Sequence, residues 1–297
     1  MYLVFDIGGS STKIAYINGQ GQIVEKDRLP ALATVDEFKN MLRSIVAKAL
    51  IDYQIKGVGM ASPGRVDSRT GEVLGLSALG YLDQFNFAKD IQDKFGLPVA
   101  ILNDANAAAL SEMHFAKVKE KNVCFFIIGS GVGGAIIQDG QLMLGRRAEA
   151  GEFGYMYVKR EYDKVFNLSQ MATLPNAVRR LREKHGIISN AKELLDFYFS
   201  GKEPYYQVVE EAFYYLCVGL YNVQYALDPD IIYIGGAISQ NRQYIEEIKR
   251  ILGHPQFSEA NIKIRPVTYY NDNNLLGAYA HLRNQMKEGR RLCTPSE

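Results

Sequence analysis

The chain has 297 residues, 47% hydrophobic and 23% charged, and its 34 Lys and Arg offset 33 Asp and Glu to a net charge of +1. That is globular composition with length for two domains, and the even charge argues against a strongly electrostatic nucleic-acid binder. Three cysteines at unrelated spacings (Cys124, Cys217, Cys293), with no Cys-x-x-Cys, exclude a disulfide framework and a four-cysteine zinc site. The opening MYLVFDIGGS has neither the basic lead nor the long apolar core of a signal peptide. No apolar run approaches the roughly 20 residues of a membrane span. A reduced, cytoplasmic protein with no membrane or nucleic-acid partner is expected.

In chain order, Tyr2–Asp6 reads as an apolar strand, Ile7–Ser11 as a turn and Thr12–Ile17 as a second strand. Asn18–Gly21 reads as a hairpin turn and Gln22–Arg28 as a third strand. Val35, Phe38, Met41, Leu42, Ile45, Val46, Ala49 and Leu50 share one face of an amphipathic helix. Ile55–Ala61 predicts a strand ending in Ser62-Pro63-Gly64. Pro98–Leu102 predicts a short buried strand ending at Asn103-Asp104, and Ala105–Lys117 an Ala-rich helix. Val123–Ile128, a glycine turn and Gly134–Gln138 then repeat the opening pattern. Val208–Leu227 is a long helix stopped by Asp228-Pro229-Asp230, and Ile231–Ile234 is a buried strand running into Gly235-Gly236. A helix (Tyr244–Leu252), a strand (Ile262–Val267) and a final helix (Asn274–Met286) close the pattern.

The segments Val4–Ile14 and Phe125–Ile137 make this a coarse internal duplication without a linker of biased composition between the halves. Two α/β halves facing each other would make a cleft. The Tyr-rich stretch Tyr205–Tyr225 reads either as an apolar surface for self-association or as a buried core helix.

Four segments carry candidate chemistry. In Asp6-Ile7-Gly8-Gly9-Ser10-Ser11-Thr12-Lys13, a strand delivers a carboxylate to its end and glycines let backbone amides approach phosphates. An ordinary hairpin with polar turn residues explains it equally. Gly129-Ser130-Gly131-Val132-Gly133-Gly134 places four glycines in six residues between apolar strands. It is not a Walker A loop, because no Gly-Lys-Ser/Thr ends it, and not a Rossmann fingerprint, because Ala135-Ile136-Ile137 reads as strand. Asn103-Asp104-Ala105-Asn106 sits where a strand ends and a helix begins. Asp104 is there either a helix N-cap or a base for a substrate hydroxyl. In Ala150-Gly151-Glu152-Phe153-Gly154-Tyr155, two glycines bracket a carboxylate in a stretch too irregular for a helix, where Glu152 is either solvated or a ligand contact.

These segments, with Ser62-Pro63-Gly64 and Ile234-Gly235-Gly236, occur in an order that resembles the ROK family of sugar kinases and regulators, within the actin-like ATPase superfamily of hexokinase-type folds. The resemblance runs from Asp6 to the last helix. It implies an α/β fold of two ribonuclease-H-like domains flanking an active-site cleft. The small N-terminal domain would span 1–115, with the helix at about 274–288 packing back on it, and the larger domain 116–273.

It further implies ATP-dependent phosphorylation of a sugar hydroxyl, usually the 6-hydroxyl. Asp104 matches the base, and Asn103, Gly64 and Glu152 match sugar contacts. Asp6 matches the acid that helps hold magnesium. Gly8, Gly9, Ser10, Ser11, Thr12 and Lys13 match the first phosphate loop, and Gly131, Val132, Gly133 and Gly134 the second. Gly235 and Gly236 match the turn beside the adenosine, and a homodimer is implied.

Family members commonly carry a cysteine-rich zinc site after Ala-Gly-Glu, with a His just after that segment. Here Tyr155 stands where that His is expected, and Val158–Thr173 holds neither Cys nor His. No structural zinc is therefore expected. Ser169 is the nearest polar equivalent of a further sugar-binding Glu. These departures mean that the sugar need not be glucose: a hexose, an N-acetylhexosamine such as N-acetylmannosamine, or a β-glucoside is expected, with glucose as the alternative substrate and Tyr155 against the sugar. The family's repressors carry an N-terminal helix-turn-helix. A phosphate loop that begins at residue 6 leads us to expect a kinase rather than a repressor. A sugar-binding member that has lost catalysis is the remaining alternative.

Overall fold

The computed structural model describes residues 1–75, 77, 79–269 and 272–292; Cys293 lies outside them. The chain divides into two compact units. The first takes residues 1–118 and 145–149 together with the described residues from 272 onward, and the second takes 119–144 and 150–269.

The first unit is built on a five-stranded sheet. Its strands are β1 (Tyr2–Ile7), β2 (Ser11–Ile17), β3 (Ile23–Pro30), β4 (Val58–Ser62) and, after the two-residue strands β5 (Val66–Asp67) and β6 (Glu72–Val73), β7 (Val99–Asn103). The order is β3-β2-β1-β4-β7: the first three antiparallel, then β1, β4 and β7 parallel. All of β1, β4 and β7 is buried, as strands covered on both faces must be.

Helix α1 (Val35–Asp52) starts at a capping box, in which Thr34 accepts from the Glu37 amide while Glu37 reaches back. It buries Phe38, Leu42, Val46 and Ala49. Helix α2 (Phe87–Phe95) is capped by Asn86 and ends at Gly96 in the left-handed conformation. Helix α3 (Asp104–Phe115) follows β7 without a gap. The C-terminal helix (Asn273–Lys287) packs on it so closely that a Cβ on Gly277 would fall 1.8 Å from the Ala107 carbonyl oxygen.

The second unit repeats the plan. Its sheet is β8 (Val123–Ile128), β9 (Val132–Gln138), β10 (Gln141–Met143), β13 (Ile231–Gly235) and β14 (Ile264–Pro266), in the order β10-β9-β8-β13-β14. The directions match those of the first unit position by position. Between β10 and β13 lie a single 3-10 turn (Phe153–Tyr155), a hairpin of β11 (Tyr157–Glu161) and β12 (Lys164–Asn167), and four helices. These are α4 (Leu168–Ala172), α5 (Leu174–His185), α6 (Ala191–Phe199) and α7 (Tyr205–Leu227). Helices α8 (Arg242–Leu252) and α9 (Pro255–Ser258) complete it. Helix α7 threads the core with Val209, Phe213, Leu216, Cys217, Leu220 and Val223 buried, while Tyr206, Tyr214 and Tyr225 stay exposed. Among the described residues no helix is long and apolar enough to cross a membrane.

Two sequence expectations change. The stretch 150–155 is not wholly irregular, because Phe153–Tyr155 forms one 3-10 turn. The second glycine turn is shorter than its glycine content suggests. β9 begins at Val132, and Gly133 and Gly134 pair with Ile127 and Phe126 inside the sheet. Gly134 is demanded by packing rather than by a turn, since a Cβ there would lie 2.5–2.6 Å from the Phe153 ring and the carbonyls of Gly151 and Phe125.

Candidate active site

In the first unit three parallel strands end together. Asp6 on β1 is level with Ala61 on β4, and Ser62 with Asn103 on β7. Strand spacing therefore puts the ends of β1 and β7 about 10 Å apart at the carboxyl edge of the sheet, where open α/β sheets bind ligands. Between β1 and β2 the Gly8 amide donates to the Ser11 carbonyl at 2.9 Å, folding Gly8–Ser11 into a tight turn that leaves Gly9 and Ser10 exposed. Ser11 is buried, with its hydroxyl accepting from Arg28 Nε at 2.8 Å, and Thr12 is buried. The amides of Gly9 and Ser10 are thus the groups this turn offers to solvent.

The Asp6 carboxylate is buried and held on both oxygens. Lys13 Nζ donates to Oδ2 at 2.9 Å from the cross-strand position, and Asn274 Nδ2 donates to Oδ1 at 2.9 Å from the C-terminal helix. Lys13 thus meets the carboxylate rather than standing only as a phosphate contact. The sequence reading missed Asn274, which lies 268 residues from Asp6.

At the end of β7 the cap question is decided by geometry. Asn103, not Asp104, is the N-cap of α3: its Oδ1 accepts from the amides of Ala105 at 2.8 Å and Asn106 at 3.2 Å. Its Nδ2 donates to the Gly64 carbonyl at 2.9 Å, tying the β7–α3 corner to the Ser62-Pro63-Gly64 loop. Gly64 has φ +92°, and a Cβ there would sit 2.8 Å from the Gly75 carbonyl.

Asp104 is therefore not the cap and occupies the first helical position, where its Oδ1 accepts from the Ala105 amide at 2.8 Å. Burial of its carboxyl raises the pKa to about 6; the Ala105 amide opposes this and the charge of Asp6 adds to it. A carboxylate poised near 6 at a helix start suits a general base working near neutrality. Asn106 and Asn273, in the first turns of α3 and the C-terminal helix, each keep a buried side-chain oxygen with no hydrogen-bond partner among the described residues.

In the second unit the turn Gly129–Gly131 occupies the equivalent place, with the Gly129 amide donating to the Gly131 carbonyl at 2.9 Å. Beside it, Gly236 has φ +88° and lies so close to β8 that a Cβ would fall 2.0 Å from the Ile128 carbonyl oxygen. A side chain on Gly235 would meet Ile127 at 2.5 Å. The hydroxyl of Ser169 accepts from the Val132 amide at 2.9 Å and lies 3.2 Å from a Cβ built on Gly131. Its own carbonyl is held by Thr173 Oγ1 at 3.1 Å and Asn176 Nδ2 at 2.8 Å. Ser169 thus braces the glycine turn from α4.

Glu152 is half-buried just before the 3-10 turn, and Tyr155 is 54% exposed within it. A concavity of this unit, about 1130 Å³, is lined by residues at the opposite ends of these strands, including Asn122, Ile231 and Ile264. It is removed from the glycine turn by the length of β8, roughly 20 Å.

Magnesium is a hard cation that keeps several waters and takes one or two carboxylates plus substrate phosphates. A single fixed carboxylate, Asp6, beside exposed turn amides fits that demand. Among the described residues no cluster of three His, Cys, Asp or Glu could form a dedicated metal cage. The thiols Cys124 and Cys217 are buried in the second unit, and burial pushes Cys124 up to about 12.

A family model described as ROK family matches residues 2–285. The chain belongs to the ROK family. A β-glucoside kinase of Listeria monocytogenes is 30% identical over 286 residues, covering 93% of this chain and 95% of its own. An N-acetyl-D-glucosamine kinase of Photobacterium profundum is 29% identical over 278 residues, covering 86% and 90%. A solved ROK family protein of Streptococcus pneumoniae, in complex with sucrose, matches at a TM-score of 0.86 with 32% identity over 96% of this chain and 99% of its own. The α/β architecture of this ROK protein is the actin-like ATPase fold, and its curated relatives are sugar kinases, which supports a sugar kinase here.

Proposed function

We propose that the protein transfers the γ-phosphoryl group of ATP to the 6-hydroxyl of a sugar, with a β-glucoside as the first candidate and an N-acetylhexosamine such as N-acetylmannosamine as the second. The observation that carries the reading is Asp104: a carboxylate at the carboxyl edge of the sheet, freed from capping by Asn103 and raised to about 6. A sugar hydroxyl is a weak acid, so the base need only take its proton late, as the oxygen bonds to phosphorus and the bond to ADP breaks. Asp104 orients the hydroxyl and receives that proton at its carboxylate. Gly64, Asn103 and Glu152 are the further sugar contacts of this reading, and Tyr155 the contact that departs from the family pattern.

The exposed amides of Gly9 and Ser10, with Lys13, and the turn at Gly131–Gly134 neutralise the phosphates, and Gly235-Gly236 bounds the adenosine. Magnesium, where bound, neutralises charge on the transferring group, with Asp6 as its protein carboxylate. The reading includes no structural zinc and a cytoplasmic homodimer with no nucleic-acid partner.

The choice of a β-glucoside is supported by the 30% identical β-glucoside kinase, and the sucrose-bound neighbour supports a substrate in which glucose carries a further group. Sugar-dependent ADP release over glucose, N-acetylmannosamine, N-acetylglucosamine and β-glucosides such as cellobiose tests it. Turnover is expected with a β-glucoside at the highest kcat/KM. No sugar-dependent ADP with any of them would instead favour a sugar-binding regulator without catalysis. Elution at twice the chain mass in gel filtration checks the dimer.

A further inference from the structure

The Asp6 carboxylate is held from two parts of the chain. Lys13 reaches it across the β1–β2 ladder, as the sequence motif already brings the two together. Asn274 comes from the far end of the sequence, in the first turn of the C-terminal helix. That helix is fixed where it stands. One turn after Asn274, Gly277 lies against the Ala107 carbonyl, and Ala278 lies against Gly59 of β4, where a Cβ would be 2.9 Å from the Ala278 carbonyl oxygen. Both neighbours belong to elements that frame the site, since Gly59 lies on the strand ending at Ser62 and Ala107 on the helix headed by Asp104. The amide of Asn274 is therefore presented from a fixed mount.

We propose that Asn274 is a positioning residue: its Nδ2 fixes the Asp6 carboxylate in one rotamer and so sets the affinity of the site for the metal–nucleotide complex. This rests on the kinase reading above and deepens it. A carboxylate pulled only by Lys13 would turn towards the ammonium and spend its charge there. A second donor on the opposite oxygen resists that rotation and keeps the remaining lone pairs directed away from both partners. Asn274 donates to the carboxylate without adding a second positive charge. Its loss weakens what Asp6 does while leaving the sugar contacts in place.

The test uses the full chain with Asn274→Ala, and beside it Asn274→Ser, whose side chain is polar but too short to reach Asp6. Mn2+ binding in the presence of the non-hydrolysable nucleotide AMP-PNP is read by electron paramagnetic resonance. The Mg2+ concentration for half-maximal sugar-dependent ADP release is read in parallel. Loss of one hydrogen bond to a charged group predicts an Mn2+ dissociation constant and a half-maximal Mg2+ concentration each raised about tenfold in either variant, with the sugar KM within twofold of wild type. Mn2+ affinity within twofold of wild type in both variants overturns the proposal, as does a change confined to the sugar KM, or a wild type that binds no Mn2+ with the nucleotide. If the wild type turns over no sugar, the kinase reading falls, and the Mn2+ measurement alone still decides the role of Asn274.

Discussion

The two glycine turns occupy the same place in two sheets of the same strand order, yet they are built from opposite materials. In the first unit the cross-strand pair flanking the turn is Asp6 with Lys13, a charged pair. At the equivalent register in the second unit the pair is Ile127 with Gly133. Ile127 fills the space that a side chain on Gly235 would need. The first turn is steadied by ions and a distant amide; the second is steadied by neutral hydroxyls and close packing, with Ser169, Thr173 and Asn176 beneath it. One scaffold occurs twice, and only the first turn carries a charged pair beside it. Under the proposed function, that charged turn would serve proton and metal, and the turn at Gly129–Gly131, flanked by an uncharged pair, would hold the nucleotide.

If that division is right, the largest loss of activity comes from the first unit. Asp104→Ala should lower kcat by about 10²–10⁴-fold with a smaller effect on the sugar KM, measured by coupled ADP release. A loss under tenfold would remove Asp104 as the base. The second unit should answer through stability instead. Gly134→Ala places a methyl against two carbonyl oxygens and the Phe153 ring. That overpacking should cost about 2 kcal/mol and lower Tm by roughly 5 °C in calorimetry. An unchanged Tm would show that close packing is not what requires a glycine at 134.

The pH dependence sharpens the same contrast. Asp104 works as a base only when ionised, so kcat/KM should be flat at alkaline pH and fall through about pH 6. One unit below that midpoint it should be down about tenfold. An acid limb at the ordinary carboxylate value of 3.8 would mean that the group is not desolvated in the working enzyme. The stability sign follows from the same shift. A carboxyl whose folded pKa is raised adds stability that is fully present below its unfolded value and is lost as pH rises through about 6. Asp104→Asn should therefore be more stable than wild type at pH 8, with that advantage gone at pH 4. Chemical denaturation at both values reads this directly.

Much of this plan was legible in the sequence because its signals are local. Apolar strand runs between turn residues, the helix at 35–50 and the Asn103-Asp104 corner each declare themselves within a dozen residues. Helix α2 was missed although Asn86 and Gly96 are an ordinary cap pair, because Phe87–Phe95 carries few apolar residues between them. The hairpin of β11 and β12 and the short helices after it were missed because their exposed faces dilute the alternation.

Glycine misled in one place. Gly133 looks like a turn residue by composition, whereas it pairs with Ile127 inside the sheet, and close approach of the 151–153 segment is what requires Gly134 beside it. The pairing of Asn274 with Asp6 lies beyond any local signal, since 268 residues separate them and only packing of the C-terminal helix brings them together.

Ser169 gives the smallest effect and the finest discrimination between the two turns. Its hydroxyl is the partner of the Val132 amide, the first residue of β9 after the turn. Ser169→Ala leaves that amide without its acceptor and removes the brace between α4 and Gly131, at a cost of about 1 kcal/mol. If the turn holds nucleotide phosphates, the loss should appear as a KM for ATP raised about fivefold, with kcat and the sugar KM nearly unchanged, because the chemistry resides in the other unit. If Ser169 instead stood in for a sugar-binding carboxylate, the sugar KM would rise and the ATP KM would not. Initial rates over a grid of both substrates distinguish the two patterns, and the contact with Val132 favours the first.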